Sequence, residues 1–271
     1  MTINGTDFTA NSAVTFGGTS ATSVQYVSPS QLIADSPARG SAAVVNVIVS
    51  TPYGSSPAAG TANDFAYTNA PTVSTVSPPA GPVGGGTTVT ISGSGLTGAS
   101  SVTFDGVAVS YTVNDDATIT AVTPPGSAGN AVVRVTTAGG SDNGTFRYAN
   151  APSVSSIAPT AGPEAGGTLV TINGSGFTGA STVLFGSAAA TGVTVSSDTQ
   201  ITAFAPAGTG TVGVTVTAPG GTSAPENYRY APVPAISQLS PSSGPVVGGT
   251  LMTITAAVLS APRMCGSTVR Q

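Results

Sequence analysis

The stretch from Pro71 to Gly106 indicates the fold of this chain, and it reads PTVSTVSPPAGPVGGGTTVTISGSGLTGASSVTFDG. Short runs rich in Val, Thr and Ile alternate with polar residues, and clusters of Gly and Pro separate the runs. Alternation with a period of two is typical of half-buried β-strands, and such clusters are typical of turns. The stretch therefore predicts several short strands joined by tight turns.

The same pattern returns along the chain, so the sequence is built of repeats. The repeats open at three equivalent prolines, 81 and 82 residues apart (152 − 71 and 234 − 152): Pro71, Pro152 and Pro234. They close at equivalent tyrosines, namely Tyr67, Tyr148 and Tyr230. We predict four units, 1–68, 69–149, 150–231 and 232–271, of which the second and third are complete and the fourth is incomplete, with an aberrant tail.

Each complete unit is predicted to be a small all-β sandwich. In the second unit we expect seven strands: Thr72–Val76, Thr87–Ser92, Ser101–Phe104, Val107–Val113, Ala117–Val122, Ala131–Thr137 and Thr145–Tyr148. Seven short strands in about 80 residues are typical of a two-sheet, immunoglobulin-like sandwich. The linkers between units are short and contain Pro, which stiffens them, so we expect tandem sandwiches arranged as a rod.

Three ordered motifs carry a family resemblance. The pattern P-x-V-S-x-(V/I)-x-P-x-x-G-P begins at Pro71 and Pro152, T-I-x-G-x-G-(L/F)-T-G-A follows, and (F/Y)-R-Y closes the unit. Together they resemble the IPT/TIG domain. The resemblance implies an immunoglobulin-like fold that occurs in tandem in bacterial surface proteins, in plexin-type receptors, in Rel-type transcription factors and beside the catalytic domains of some starch-acting enzymes. It implies no single activity, because one fold hosts many functions.

Composition favours an extracellular or cell-surface protein. Charged residues are 6% of the chain, against about 25% in an average soluble domain. No apolar run reaches the length of a membrane span, so we expect no membrane insertion within this segment. Met1 is not followed by a basic, then apolar, leader, so an export signal is expected to lie outside this segment.

Charge argues against nucleic acid as a partner. The net charge is −4, and all six basic residues are Arg, which are dispersed along the chain. Binding to a phosphate backbone depends on clustered Lys and Arg. We therefore predict no nucleic-acid partner.

The residues that most enzymes need are missing from the sequence. Without His or Lys there is no Ser-His pair, Cys-His pair or Schiff-base lysine. Asp115 and Asp116 are neighbours, and we interpret them as solvated turn residues rather than a pair of catalytic carboxylates. The two matches to G-x-G-x-x-G, from Gly93 and Gly174, precede a strand rather than a helix, so we interpret them as turns. We predict a non-enzymatic protein with no cofactor.

No metal site is predicted. The oxygen-bearing side chains near the junctions are candidate calcium ligands: Asp64, Asn69, Asp142 and Asn150. One carboxylate per junction is few for an ion that takes six to eight oxygen ligands. The single cysteine, Cys265, leaves no intrachain disulfide.

Aromatic residues indicate packing more than ligand binding. Equivalent positions in the units are expected to lie in the core: Phe16, Phe104 and Phe185, with the pairs Phe65/Tyr67, Phe146/Tyr148 and Tyr228/Tyr230. Tyr53 has no such equivalent and lies in STPYGSSPAAGTAND, where we expect a hairpin longer than its counterparts. It is our candidate contact to a ligand or partner, with an ordinary surface tyrosine as the alternative.

The first unit opens in the middle of the repeated pattern. Met1 aligns with Val89 and Val170, so this unit lacks the initial strand, and we expect one edge of its sandwich to be uncovered. PAISQLSPSSGPVVGGTLMTIT, from Pro234 to Thr255, repeats the missing pattern before the tail departs from it. Two interpretations stay open: the ends cut a longer array, with an artefactual tail, or one chain completes the next by head-to-tail association.

These observations favour one function and leave a second open. The first is a spacer or adhesive stalk segment in a bacterial surface or secreted protein. The second is a carbohydrate-associated accessory module of a secreted polysaccharide-acting enzyme. The corresponding partners are a protein surface or a glycan.

Overall fold

The computed structural model describes residues 1–58, 60–232 and 236–256. The regular secondary structure of those residues consists of β-strands and a single 3-10 turn. Contacts between residues divide the chain into two compact units. The first unit is Met1–Pro79 with Gly84–Arg147, and the second is Ala80–Val83 with the residues from Tyr148. The predicted all-β class with immunoglobulin-like sandwiches is confirmed. Cys265 and the rest of the predicted aberrant tail beyond Ala256 lie outside the described residues.

The second repeat is a sandwich of two sheets. Its strands are β9 (Thr72–Ser77), β10 (Ala80–Pro82), β11 (Thr88–Ser94), β12 (Ser101–Phe104), β13 (Val107–Ala108), β14 (Tyr111–Val113), β15 (Thr118–Val122), β16 (Gly129–Thr137) and β17 (Gly140–Ala149). One sheet has the order β14-β15-β11-β9, and the other has the order β10-β17-β16-β12-β13. Alternating buried positions on β11 and β12 face the space between the sheets, as period-two strands require.

Two predicted strand assignments in this repeat are wrong. The expected single strand Val107–Val113 is two strands, because β13 pairs with β12 in one sheet and β14 pairs with β15 in the other. The segment around Ala80, expected to be only a turn, contains the short strand β10 at the edge of a sheet. In both places the chain crosses from one sheet to the other.

The third repeat has the same organisation. Its strands are β18 (Ser153–Ala158), β19 (Ala161–Pro163), β20 (Leu169–Ser175), β21 (Thr182–Phe185), β22 (Ala188–Ala189), β23 (Thr191–Ser197), β24 (Gln200–Phe204), β25 (Thr211–Ala218), β26 (Gly221–Thr222) and β27 (Glu226–Ala231). The sheets have the orders β18-β20-β24-β23 and β19-β27-β25-β21-β22, with β26 paired to β25. Strand β19 runs parallel to β27, with Gly162 opposite Tyr230.

In the described part of the first repeat, the first strand corresponds to β20 of the third repeat. Its strands are β1 (Thr2–Asn4), β2 (Ala13–Phe16), β3 (Thr19–Ser20), β4 (Ser23–Ser28), β5 (Gln31–Asp35), β6 (Ala43–Thr51), β7 (Gly54–Ser55) and β8 (Asp64–Tyr67), with the 3-10 turn at Thr61–Asn63. One sheet has the order β1-β5-β4, and the other has the order β3-β2-β6-β7, with β8 paired to β6. Among the described residues, strand β1 lies at the edge of its sheet.

A two-stranded sheet follows the third repeat. Strands β28 (Ile236–Ser240) and β29 (Thr253–Ala256) pair antiparallel, with Leu239 opposite Ile254. These strands match the first two long strands of the complete repeats in sequence.

The core of each complete repeat contains the aromatic residues predicted there. Phe104 is 1% exposed and Phe185 is 2% exposed. The aliphatic residues packed in the same cores are 0 to 1% exposed: Ile91, Val102, Val133, Ile172, Val183 and Val214. The aromatic pairs on the last strands are buried in the second and third repeats and half-buried in the first. Arg147 and Arg229, which lie between those aromatic residues in sequence, are exposed. Among the described residues there is no helix with the length and apolarity that crossing a membrane requires.

A cleft in the first repeat is the candidate binding site

The G-x-G-x-x-G segments are turns that bind a side-chain carboxylate. Asp116 accepts hydrogen bonds from the backbone N–H groups of Gly95 (3.1 Å) and Thr97 (3.3 Å). These two N–H groups lower the pKa of the Asp116 carboxyl, because they stabilise its charged form. Asp198 does the same for Gly176 and Thr178 in the third repeat. The amides that would face a phosphate in a nucleotide site are thus occupied by the protein itself.

Asp115 has a separate, local role. Its Oδ1 accepts from the backbone N–H of Ala117 (2.8 Å) and from the hydroxyl of Thr118 (3.0 Å). The N–H of Ala117 is the first cause of the lowered pKa of this exposed carboxyl. The two neighbouring carboxylates therefore serve two different turns, as the interpretation of turn residues requires.

The two carboxylates among the candidate calcium ligands accept hydrogen bonds within the protein. Asp142 accepts from the backbone N–H of Val73 at 2.7 Å, and this bond is the first cause of the lowered pKa of Asp142. Asp64 accepts from the side-chain amide of Asn46 at 3.0 Å. Within residues 1–58, 60–232 and 236–256, no group of three or more His, Cys, Asp or Glu residues comes together as a metal site.

A cleft of about 670 Å³ opens in the first repeat between β1 and the sheet that contains β6. The apolar part of its lining, at the floor, includes Phe8, Val47 and Val49. The polar part, at the rim, includes Asp7, Tyr53 and Asn63. Asn63 is fixed by hydrogen bonds from its amide to the carbonyls of Val47 and Pro57. Tyr53 is 89% exposed at the rim.

The cleft occupies the place that the first strand takes in the other repeats. Ile3 and Phe8 are half-buried, whereas Ile91 and Leu96, at the same positions in the second repeat, are fully buried. The difference arises because β9 covers the edge of β11, while the corresponding edge of β1 is open. Within the described residues, the side chains that line this cleft are therefore less buried than their equivalents in the second repeat.

Tyr53 stands at a position where the other repeats have a glycine that contacts the preceding linker. Thr51 pairs with Gly54 across the β6–β7 turn, and Ala218 pairs with Gly221 across the β25–β26 turn, so Tyr53 corresponds to Gly220. A Cβ atom at Gly220 would overlap the backbone carbonyl of Asn150 in the linker. Gly139 in the second repeat has the same relation to Asn69.

The expected long hairpin around Tyr53 is wrong in one respect. The turn itself has the same two-residue length as in the third repeat, and the additional residues lie between β7 and β8. The prediction that Tyr53 is exposed is confirmed. Its role as a contact stays a prediction.

Asp7 makes a second replacement of the same kind. It has a φ of 60° and occupies the position of Gly95 (φ 68°) and Gly176 (φ 74°). A Cβ atom at Gly176 would lie 3.2 Å from the Cα of Pro152, which leads into β18. The first repeat therefore carries side chains at two positions where an entering linker passes close to glycine. The replacement at Asp7 follows from the alignment of Met1 with Val89 and Val170, whereas the one at Tyr53 becomes visible only when the turn registers are known.

The family comparison matches all three sandwiches. The model described as the IPT/TIG domain matches residues 1–67, 71–148 and 152–230. No curated protein sequence matches the chain.

Several solved extracellular and surface proteins are similar in structure. The full extracellular region of plexin A4, domains 1 to 10, is similar over 89% of this chain at 17% identity, with a TM-score of 0.47. SGBP-B from a complex xyloglucan utilization locus in Bacteroides uniformis is similar over 59% of this chain at 27% identity, with a TM-score of 0.29, and 49% of its own chain is covered. The chain spans about a third of the plexin structures, 28% of one and 32% of another.

Proposed function

The chain belongs to the IPT/TIG domain family, with three such domains in tandem, and we propose that it is a non-enzymatic spacer or adhesive stalk segment of an extracellular protein. The family membership supports this proposal, because IPT/TIG domains are in general non-catalytic immunoglobulin-like modules. The low content of charged residues supports an extracellular location.

The observation that best supports the proposal is the close packing of each linker against the sandwich that follows it. The backbone carbonyl of Asn69 lies where the Cβ atom of any other residue would stand at Gly139. The carbonyl of Asn150 has the same relation to Gly220. Each linker is thus packed against a hairpin of the sandwich that follows it. A spacer needs linkers whose conformation is fixed by packing, because an unpacked linker of this length would let successive domains reorient.

Small-angle X-ray scattering of the whole chain tests this proposal. We expect a narrow, extended distance distribution with a maximum near 100 Å, since each sandwich contributes about 30–40 Å. Gly139→Ala should broaden the distribution, because the new Cβ must displace the linker carbonyl. Gly84→Ala is the matched control, because nothing lies within 4 Å of its Cβ position. A compact particle, or equal distributions for both variants, would contradict the proposal.

A carbohydrate-binding accessory module is the second candidate. The exposed ring of Tyr53 beside a cleft with amide and carboxylate groups favours it, because sugars stack on aromatic rings and hydrogen-bond to such groups. A thermal-shift panel of soluble glucans, xylans and mannans tests this candidate. Binding should raise the melting temperature of the chain and not that of Tyr53→Ala. No shift with any glycan leaves the stalk as the better proposal.

A further inference from the structure

Strand β4 is an exposed edge strand of the first repeat. In the described part of the chain it pairs with β5 alone, in a sheet of the order β1-β5-β4. Its counterparts in the complete repeats, β14 and β23, are edge strands as well. The open edge of β4 is therefore a feature that all three sandwiches share, and it lies on the side of the sheet away from β1.

Two side chains on β4 face the core side of the sheet and still contact solvent. Val24 lies opposite Ala34 and Tyr26 lies opposite Leu32, and both of these partners are fully buried. Directly opposite residues share a face of the sheet. Val24 is 38% exposed and Tyr26 is 39% exposed, since no described strand continues the sheet beyond β4. A further strand at this edge would cover both.

The sequence of β4 lacks the features that usually keep edge strands apart. Native sheets protect their edges with charged side chains, proline, very short strands or bulges. Ser23–Ser28 contains no charged residue and no proline, and its register shift lies at the end, between Tyr26 and Ser28. By contrast, β14 has three residues and β23 has two register shifts. Of these three edges, β4 is the best suited to pair with another strand.

A second copy of β4 matches this edge in chemistry. Two identical antiparallel strands pair with two-fold symmetry, so an uncharged strand then meets an uncharged strand. If Gln25 lies opposite its equivalent in the second copy, Val24 of each copy lies opposite Tyr26 of the other, on the core-facing side. Pairs of an aromatic and a β-branched residue stabilise antiparallel strands.

The nearest charged group does not oppose this pairing. Asp35 lies at one end of the strand pair, where the Ser23 hydroxyl donates to its Oδ2 at 2.6 Å. With the two-fold axis at Gln25, the two copies of Ser23 are about 13 Å apart along the strands. This separation exceeds the Debye length of about 8 Å at physiological ionic strength, so repulsion between the two Asp35 carboxylates is largely screened.

We propose that the first repeats of two copies pair through β4, antiparallel and about a two-fold axis at Gln25. One sheet then runs through both sandwiches, in the order β1-β5-β4-β4-β5-β1, and main-chain hydrogen bonds join the two β4 strands. The contact is isologous, so two copies close it and no filament forms. It adds a lateral, homophilic contact that the spacer role does not require.

Sedimentation velocity of the full chain tests the association. A single pair of six-residue strands makes an interface of the small and weak class, below about 1,200 Å². The weight-average mass should therefore rise from one chain toward two chains between about 10 µM and 1 mM. A mass that stays at one chain over this range, or that exceeds two chains, would overturn the proposal.

Charge substitution at the two-fold axis tests the register. Gln25 is exposed on the outer face, opposite the partly exposed Ile33, so a charge there leaves the core intact. Gln25→Lys and Gln25→Glu should each keep the chain monomeric, because like charges then lie directly opposite each other. An equimolar mixture of the two variants should associate about tenfold more tightly than either variant alone. A mixture that associates no better than its components would contradict the register.

The matched control for these variants lies on the corresponding edge strand of the third repeat. Thr194 on β23 has the place that Gln25 has on β4, and Thr194→Lys should associate as the parent chain does. In a Cys265→Ser background, Gln25→Cys should give a covalent dimer and no larger species on mild oxidation, because two copies close the contact. Thr194→Cys should give little dimer under the same conditions. Equal dimer yields from the two cysteine variants, or loss of association in Thr194→Lys, would overturn the proposal.

Discussion

The ring of Phe185 meets the ring of Tyr228 edge to face, with centroids 5.0 Å apart and planes at 90°. Phe104 and Phe146 make the same contact in the second repeat, at 5.8 Å and 83°. The edge-to-face arrangement places the positive edge of one ring on the negative face of the other. The pair is therefore a shared element of these cores, but Tyr228 adds a hydroxyl that Phe146 lacks.

Removing that hydroxyl should stabilise the third repeat. The Tyr228 oxygen is buried and has no hydrogen-bond partner among the described residues. A buried polar group without a partner retains its desolvation cost, so Tyr228→Phe should stabilise the repeat by about 1 kcal/mol. Hydrogen exchange of third-repeat amides, followed by mass spectrometry, measures the change.

Tyr230→Phe is the matched comparison for that variant. The Tyr230 hydroxyl donates to the carbonyl of Pro206 at 2.8 Å, so its removal should destabilise the repeat by about 1 kcal/mol. Opposite signs for the two variants are expected. Equal signs would show that the Tyr228 hydroxyl has a partner, such as a buried water.

Truncating the other ring of the pair should be far more costly. Phe185 is 2% exposed, and Phe185→Ala leaves a cavity in a core that the remaining strands cannot fill. We expect a loss of about 3–5 kcal/mol in the unfolding free energy of the third repeat. The same exchange measurement reports it, and Leu169→Ala, on a half-exposed side chain, should cost much less.

The sequence predicted the strands whose pattern is local, and it failed where pairing is not local. Alternation placed Ser101–Phe104 and its buried Val102 and Phe104 correctly, because period two reports directly on burial. Alternation also continues through Val107–Val113, although β13 and β14 belong to opposite sheets. The change of sheet depends on partner strands far away in sequence, so the pattern does not reveal it.

In the candidate site, too, the sequence predicted local features and missed those that depend on distant residues. The exposure of Tyr53 could be predicted because no equivalent aromatic exists in the other repeats. Its correspondence to Gly139 and Gly220 could not, because gaps in the alignment conceal it until the turns are in register. Likewise, Asp116 was expected in a turn, but its bonds to Gly95 and Thr97 span about twenty residues.

The role of Asp116 predicts a pH-dependent stability. Its pKa is lowered in the folded chain, so the stabilisation is present above the pKa of the unfolded state and is lost as the pH falls through the folded value. Asp116→Asn should lower the melting temperature of the second repeat at pH 7. The difference from the parent chain should shrink below about pH 4, where aspartate titrates. A constant difference from pH 7 to pH 2.5 would assign the effect to packing.

The contact between Gly220 and the preceding linker predicts how a larger residue at this position affects amide exchange in that linker. Gly220→Tyr gives the third repeat the residue that Tyr53 supplies in the first, and its Cβ would overlap the carbonyl of Asn150. The linker must then leave the hairpin, so amide exchange should accelerate at least tenfold around Asn150 while the core strand β25 stays protected. Gly84→Tyr, at an open position, should leave its own repeat and the linkers unchanged. If Gly220→Tyr leaves exchange at Asn150 unaltered, a tyrosine can share this site with a linker, and glycine at this position does not then hold the linker against the hairpin.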